Sequence, residues 1–223
     1  MGTAGLAAAG PADAVVIVDV LSFSTAVDIA VARGASVLPY RWRDGSARVF
    51  AESTGALLAG SREVAGYSLS PSSLQSIPAG TVLVLPSPNG GALSLEAAGM
   101  AATHCACLRN APAVAARLSA SARRVNVIPA GEQWHDGSLR PAIEDLIGAG
   151  AVVAGLSGSR SPEAEFARAA FEEFRFRLHD TIRNCVSGLE LVERGFPRDI
   201  ELAVDYAVSG CVPLLRGDRF EQA

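Results

Sequence analysis

The sequence lacks several features that would place it in a large functional class. It has no clustered stripe of basic residues, and its formal net charge is −4 with a pI near 5.4. Neither nucleic acid nor an anionic membrane is therefore expected as a main partner. The sequence contains no span of 18 apolar residues that would predict a membrane helix. It also lacks a basic stretch near the start that would predict a secretory signal. These absences predict a cytoplasmic protein that acts on a small molecule.

The motifs of the commonest enzyme classes are also missing. There is no G-x-S-x-G and no Walker A sequence, which removes the usual serine-hydrolase and P-loop functions. Residues 148–155 lack the third glycine of a dinucleotide motif, and we interpret them as the end of a helix before a strand. His104, His135 and His179 are assigned ordinary structural roles. We expect reduced core thiols, because no C-x-x-C pair and no zinc spacing occurs among the four cysteines: Cys105, Cys107, Cys185 and Cys211.

What the chain does contain favours an α/β fold. Of its 223 residues, 49% are apolar and only 6% are aromatic, a composition typical of helices packed closely on a sheet. We expect a loose N-terminal tail over residues 1–13 and one domain over residues 14–223. The predicted architecture is a three-layer α/β/α domain with a mainly parallel or mixed sheet.

Apolar runs and capping residues place the elements of this domain. The opening residues predict a β-α-β unit, in which residues 14–21 form a buried strand and a helix follows from Ser22 or Ser24. The longest helix is expected over residues 161–182, with Phe166, Ala170, Phe174 and Leu178 on one face. Further strands are expected at 36–40, 81–86, 102–108, around 125–129 and at 211–215.

Several predicted strands end in loops that carry acids and small polar groups. In open parallel sheets, ligands bind outside the carboxyl ends of the strands. Carboxylates there suit Mg²⁺, and a Gly-rich turn at a helix N-terminus suits a phosphate. The alternative is that each acid caps a helix or meets an arginine. The residues concerned are Asp19, Ser24, Thr25, Asn89, Gly90, Gly91, Asn110, Glu132, Glu144 and Asp145.

The order of these segments resembles the 2-phosphosulfolactate phosphatase family of coenzyme M biosynthesis. The resemblance covers residues 14–216 and rests on VVIVDVLSFSTAV, LLAGSR, GYSLSPSSL, LPSPNGGALSL, CLRNAPAVA, IPAGE, LRPAIEDLIGAGAVV and SGLELVERGFPRDIELAVDYAVSGCVPLL. It implies a Mg²⁺-dependent phosphatase that converts 2-phosphosulfolactate to sulfolactate and phosphate. It also implies that functional positions fall on Asp19, Arg62, Asn89, Gly90, Asn110, Glu132, Asp145, Ser187 and Gly188.

From the loops and the resemblance together we assign provisional roles. Asp19, Glu132 and Asp145 are the expected catalytic residues, and Asp19 and Glu132 the expected metal ligands. The expected substrate or phosphate contacts are Ser24, Thr25, Arg62, Asn89, Gly90, Gly91, Asn110 and Ser187. The expected assembly is a homodimer.

Two departures from the family pattern affect the substrate. The family's first motif usually reads D-V-L-R, but here Ser22 follows Leu21, and Leu189 stands where a late motif usually has arginine. Because 2-phosphosulfolactate carries three acidic groups, we expect it to be a poor substrate unless Arg62, Arg109 or Arg183 compensates. The true substrate would then be a less charged phosphate ester. The alternative is a catalytically silent protein that binds a small anion.

Overall fold

The computed structural model describes residues 1–42, 44–64 and 66–223. Its strands are β1 (Ala14–Val18), β2 (Ser36–Tyr40), β3 (Leu57–Leu58), β4 (Val82–Pro86), β5 (Ala102–Ala106), β6 (Val125–Pro129), β7 (Glu132–Gln133), β8 (Leu139–Arg140), β9 (Pro213–Arg216) and β10 (Arg219–Gln222). Its helices are α1 (Gly2–Ala8), α2 (Phe23–Ala32), α3 (Gly45–Thr54), α4 (Gly90–Ala97), α5 (Ala111–Ser121), α6 (Ile143–Gly155), α7 (Pro162–Phe174), α8 (Leu178–Arg183), α9 (Val186–Glu193) and α10 (Pro197–Val204), with a 3₁₀ helix at Pro71–Leu74.

The main sheet of the described chain is mixed and has the strand order β3-β4-β2-β10-β9-β5-β1-β6. Strands β3, β4 and β2 form one parallel block, and β5, β1 and β6 form another. The hairpin β9–β10 lies between the blocks and is antiparallel to both of its neighbours. The two parallel blocks therefore run in opposite directions.

Helices cover both faces of this sheet and complete the predicted three-layer α/β/α fold. All five residues of β1 are buried, as the continuous apolar run predicts for a strand covered on both sides. Val16 and Val18 face α5 and α6, whereas Val15 and Ile17 lie in a cluster with α4 and α1. None of the described helices is long and apolar enough to cross a membrane.

The opening segment differs from the prediction in two ways. Residues 2–8, expected to be part of a loose tail, form α1, because Leu6 packs into the apolar cluster with Val15 and Ile128. Strands β1 and β2 are not neighbours, since β10, β9 and β5 lie between them. The expected β-α-β unit is therefore wrong, although its strands and helix are all present.

The predicted long helix is also interrupted. It ends at Phe174, and a separate helix α8 begins at Leu178. The buried face of α7 is formed by Ala167 and Phe171, one position along from the expected face, and Phe166 is 68% exposed. Residues 148–155 lie inside α6, and α7 follows without a strand; Gly150 permits this packing, because a Cβ there would lie 2.0 Å from the Ala167 carbonyl oxygen.

Candidate active site

Asp19 follows the last residue of β1 and lies between the first turns of two helices. Its Oδ1 accepts a hydrogen bond from the Phe23 N–H of α2 at 3.1 Å, and its Oδ2 accepts one from the Gly90 N–H of α4 at 2.9 Å. The positive ends of both helix dipoles thus face this carboxylate. Gly90 is needed for the approach, because a Cβ there would lie 2.7 Å from Asp19 Oδ2 and 2.5 Å from Phe23 Cδ1.

Asp145, in the first turn of α6, joins two loops that leave neighbouring strands. Its Oδ1 accepts from the Val20 N–H after β1 at 2.7 Å, and its Oδ2 accepts from the Gly131 N–H after β6 at 2.8 Å. The side chain is buried. Both carboxylate oxygens are thus used to hold backbone, and Asp145 fixes the loops that carry Asp19 and Glu132.

Glu132 lies on a short hairpin formed by β7 and β8. Its Oε1 accepts a hydrogen bond from Asn89 Nδ2 at 2.7 Å, which links the hairpin to the turn before α4. Across the hairpin, Glu132 is paired directly with Arg140. The side chain of Glu132 is half-buried; it borders a cavity of about 130 Å³ lined also by Asn89, Gly131 and Leu139.

These acids form an electrostatically coupled group. Burial raises the pKa of Asp19 to about 6, and the nearby Glu132 carboxylate contributes to the rise. Burial also raises the pKa of Asp145, with further contributions from Asp19 and Glu144. Glu144 is itself buried, and its Oε2 accepts a weak hydrogen bond from the Cys185 thiol at 3.4 Å. The site therefore concentrates negative charge that a bound cation would stabilise.

The described residues do not form a preformed metal cage. Within residues 1–42, 44–64 and 66–223, no three His, Cys, Asp or Glu side chains converge closely enough to hold a metal ion by themselves. Asp19 and Glu132 are nevertheless near enough for the charge of one to raise the pKa of the other. Two carboxylates with free lone pairs fit a cation that completes its shell with water and substrate oxygens, as Mg²⁺ commonly does.

Three of the predicted ligand contacts are used inside the protein. Ser24 Oγ accepts from the Asp19 N–H at 2.9 Å and donates to the Ile17 carbonyl, and Thr25 Oγ1 donates to the Val20 carbonyl at 2.8 Å. Asn110 Oδ1 accepts from the Cys107 N–H at 2.8 Å and closes the turn after β5. All three side chains are buried. Their hydroxyl and amide groups bond to the backbone at the strand ends.

The Asn-Gly turn after β4 is similarly committed to the protein. The Gly90 N–H binds the carboxylate of Asp19, so the anion held at this helix terminus is a side chain of the chain itself. At Gly91 a Cβ would lie 2.8 Å from the Tyr40 carbonyl oxygen, so this glycine permits close packing of α4 against the end of β2.

Arg62 lies beside the position where the family pattern has its arginine. Its Nη2 donates to Ser22 Oγ, and its Nε lies 3.4 Å from Asp199 Oδ2. Asp199 is fully buried and also accepts hydrogen bonds from Ser70 and Ser72. Arg62 also lines a cavity of about 300 Å³ at the ends of β3 and β4. The guanidinium of Arg62 therefore lies beside Ser22, which stands at the arginine position of the family pattern.

The N-terminus of α9 contacts one of the acids, because its cap residue Cys185 donates to Glu144. Ser187 and Gly188 are buried there, next to Cys185. Burial and the nearby Glu144 raise the pKa of the Cys185 thiol to about 12, so this thiol is protonated at neutral pH. The structure thus brings the α9 turn, including Ser187, towards Glu144.

Sequence reasoning overlooked Arg140 and Glu190. Arg140 forms a two-pronged ion pair with Glu190 of α9, with N–O distances of 2.8 and 2.9 Å. The signal was available, because Asp136-Gly137 between two short segments is typical of a β-hairpin. That hairpin would have placed Arg140 opposite Glu132.

Comparison with known proteins identifies the family of the chain. Residues 5–218 match the family described as 2-phosphosulpholactate phosphatase. Over 142 residues the chain is 34% identical to a 2-phosphosulfolactate phosphatase of Methanothermobacter thermautotrophicus. That alignment covers 64% of this chain and 59% of the relative. Because the family match extends over nearly the whole chain, the protein belongs to the 2-phosphosulfolactate phosphatase family.

Proposed function

We propose that this protein hydrolyses a small phosphate monoester in a Mg²⁺-dependent reaction, and that the substrate is 2-phosphosulfolactate or a less charged 2-phospho acid. The observation that carries the proposal is that the Asn89-Gly90 turn binds both acids, Glu132 through the Asn89 amide and Asp19 through the Gly90 N–H, in a chain that belongs to this family. The name of the Methanothermobacter relative supports the substrate class.

Asp19 and Glu132 are the residues that would hold the metal. Mg²⁺ prefers oxygen ligands and usually keeps several waters together with one or two carboxylates, so the lack of a third acidic ligand among the described residues is compatible with it. When bound, the ion would neutralise phosphoryl oxygens and the charge that develops on them.

The remaining residues orient these two carboxylates. Asp145 fixes the loops after β1 and β6 through the Val20 and Gly131 N–H groups, so it acts as a positioning residue. Asn89 holds Glu132 through its amide. Glu132 is the least buried of the acids, and its carboxylate is therefore the better candidate to orient an attacking water.

A screen of phosphate esters tests the proposal. Phosphate release would be measured for 2-phosphosulfolactate, 2-phospholactate and 2-phosphoglycolate, with Mg²⁺ or with EDTA. We expect release with Mg²⁺ only, and an activity loss of at least 10²-fold in Asp19→Asn, the order of effect expected for one essential electrostatic group.

Asp13→Asn is the matched control for this screen. Asp13 lies at the other end of β1 and also accepts two backbone N–H groups, those of Arg123 and Arg124. Its substitution should leave turnover unchanged. Full activity of Asp19→Asn, or release that is equal in EDTA, would contradict the proposal.

A second candidate is a catalytically silent protein that binds a small anion. The replacement of two family arginines by Ser22 and Leu189 favours it. In that case the same esters would raise the Tm of the protein without phosphate release, because a ligand that binds only the folded state stabilises it.

A further inference from the structure

The chain has an unusual supply of positive charge. It contains no lysine, so the positive side chains available for a phosphate at neutral pH are arginines. Arginine presents a planar fork that matches two oxygens of a carboxylate or phosphate at once. A substrate can use an arginine near the acids only if it displaces the group that the arginine already binds. The partner of each of these arginines therefore indicates which guanidinium is available to a substrate.

Arg140 lies next to the acids, and its ion-pair partner is exposed enough for a substrate to displace it. Its side chain is 7% exposed, whereas that of Glu190 is 54% exposed. The two Nη atoms of Arg140 each bind a different oxygen of Glu190. A carboxylate bound in this way presents the same pair of oxygens, at the same edge of the guanidinium, that a phosphoryl group would present.

If Glu190 were released, neither its carboxylate nor the Arg140 guanidinium would be left without stabilisation. Glu190 lies near the surface, so its carboxylate can turn into water. Arg140 keeps the electrostatic stabilisation of Glu132 and Glu144, and its guanidinium stays over the Trp134 ring, 5.6 Å from the ring centroid. A buried arginine without this support would lose much more when its partner left.

The position of Arg140 connects it to the proposed reaction centre. Arg140 is the cross-strand partner of Glu132 in the hairpin β7–β8, and paired side chains in such a ladder lie about 5 Å apart at Cβ. A group bound by Arg140 in place of Glu190 would therefore lie beside Glu132.

We propose that Arg140 binds the phosphoryl group of the substrate and that the Glu190 carboxylate occupies this position until the substrate displaces it. This inference rests on the proposed function, because it assigns a phosphoryl ligand to that same site. It gives Glu190 the role of an internal competitor for the phosphate.

The test uses inorganic phosphate as the probe and measures its Kd by calorimetry, so that it does not depend on turnover. Glu190→Gln removes the competing charge, and the Kd for phosphate should fall about two- to fivefold, the strength typical of an ion pair with one exposed partner. Arg140→Met should raise the Kd about 10- to 100-fold, because charge-assisted hydrogen bonds are lost.

If the pair only fastened the hairpin to α9, Glu190→Gln would act in the opposite direction. The loosened hairpin would misplace Glu132, and phosphate would bind more weakly or with unchanged affinity. Either result would overturn the proposal. So would a tightening seen for methanesulfonate or lactate but not for phosphate, because Arg140 would then bind another acidic group.

Two further variants separate folding from binding. Glu173→Gln is the control, since Glu173 forms an ion pair with Arg177 in which both side chains are exposed; its Kd should equal that of the wild type. Arg140→Lys keeps the charge but not the fork and should bind phosphate with intermediate affinity. If the wild type hydrolyses no ester but Glu190→Gln still binds phosphate more tightly, the proposed function fails and this assignment stands.

Discussion

Asp19 is buried near a second carboxylate, that of Glu132, and both features disfavour its charged form. The N-termini of two helices offset only part of this unfavourable effect. Burial and Glu132 raise its pKa to about 6, although the Phe23 and Gly90 N–H groups act in the opposite direction. A carboxyl group of this kind is protonated more readily in the folded protein than in the unfolded chain, whose Asp pKa is about 3.9. The stability of the metal-free protein should therefore depend on pH through this residue.

The direction follows from proton binding. Between pH 4 and 6 the folded state holds more protons at Asp19 than the unfolded state, so its contribution to stability is lost as the pH rises through about 6. In EDTA, the free energy of unfolding of the wild type relative to Asp19→Asn should fall by about 1–3 kcal/mol from pH 4.5 to 7.5. Urea unfolding at a series of pH values measures this.

The comparison with a variant removes the titrating groups that are not coupled to Asp19, so the difference in slope belongs to Asp19 together with Asp145, whose pKa it raises. His104 is buried with its pKa lowered, so it increases stability as the pH rises, but it does so equally in both proteins. Asp13→Asn should keep the wild-type slope, because the pKa of Asp13 is lowered and its titration lies below this range. A slope in Asp19→Asn equal to that of the wild type would show that Asp19 is not the group responsible.

At the scale of elements, a buried ion pair joins parts of the chain that are distant in sequence. Arg109, after β5, donates from Nε to Asp28 Oδ2 of α2 at 2.9 Å and from Nη1 to the Leu202 carbonyl of α10 at 3.0 Å. Ser209 Oγ donates to the other oxygen of Asp28 at 2.6 Å. Arg109 therefore joins α2 to α10, and its guanidinium is already bound by Asp28 and the Leu202 carbonyl.

Arg109→Met should destabilise the protein strongly. Asp28 is fully buried and would lose its cation, which typically costs about 3–5 kcal/mol. Urea unfolding should show this loss, while the KM of the protein that remains folded should change little. Arg198→Met is the control, because Arg198 pairs with Glu201 and both side chains are exposed; it should cost about 1 kcal/mol or less. A small loss in Arg109→Met would mean that Asp28 is stabilised by other groups.

The elements themselves were predictable where local signals agreed. The apolar run before Asp19 is a buried strand, and Ser161 with Pro162 begins a helix as capping rules require. The break after Phe174 was not predictable, because helical spacing continues through it and tertiary packing of α8 decides it. Strand β10 was missed because Arg219–Gln222 has little apolar character and only Phe220 is fully buried.

The placement of the acids was predictable only in part. Asp19 and Glu132 follow the parallel neighbours β1 and β6, as the strand-end argument indicated, whereas Asn89 follows β4 of the oppositely directed block. Sequence could not show that Ser24 and Thr25 bond to their own backbone, because hydroxyl direction depends on packing. Whether Asp19 and Glu132 bind a metal, and whether the chain forms a homodimer, stay predictions.

At the scale of the whole molecule, the site joins loops from two blocks of the sheet that run in opposite directions. Strands β1 and β4 belong to blocks of opposite direction, five steps apart in the strand order, yet the loops after their carboxyl ends meet at Asp19 and Gly90. A twist of roughly 20–25° per step accumulates to about 100–125° over that distance. A rotation of that size would turn the ends of the two blocks towards the same side. The shared edge of a parallel sheet, which we expected, accounts for Asp19 and Glu132 after β1 and β6 but not for the turn after β4.

Overall charge also bears on the choice of substrate, because the protein carries a net charge of −4 and its site is rich in acids. Arg62 places a guanidinium beside Ser22, although it also pairs with the buried Asp199, so the loss considered is that of the arginine at Leu189 alone. One lost charge-assisted hydrogen bond is worth about 1.5–3 kcal/mol, or roughly 10- to 100-fold in affinity. We therefore expect a kcat/KM for 2-phosphosulfolactate below about 10⁴ M⁻¹s⁻¹, the lower end of the usual enzymatic range.

Two variants that each add one positive charge test whether a low kcat/KM for 2-phosphosulfolactate results from position 189 or from the overall charge of the protein. Leu189 is 47% exposed in the first turns of α9, beside Glu190, and Phe166 is 68% exposed on α7. Leu189→Arg and Phe166→Arg change the net charge of the molecule equally. Leu189→Arg should raise kcat/KM for 2-phosphosulfolactate about 10- to 100-fold and raise it much less for 2-phospholactate, which lacks the sulfonate. Phe166→Arg should leave the ratio between the two substrates unchanged. An equal gain in both variants would assign the effect to overall charge, and a wild-type kcat/KM already above the stated bound would show that Leu189 does not limit the use of 2-phosphosulfolactate.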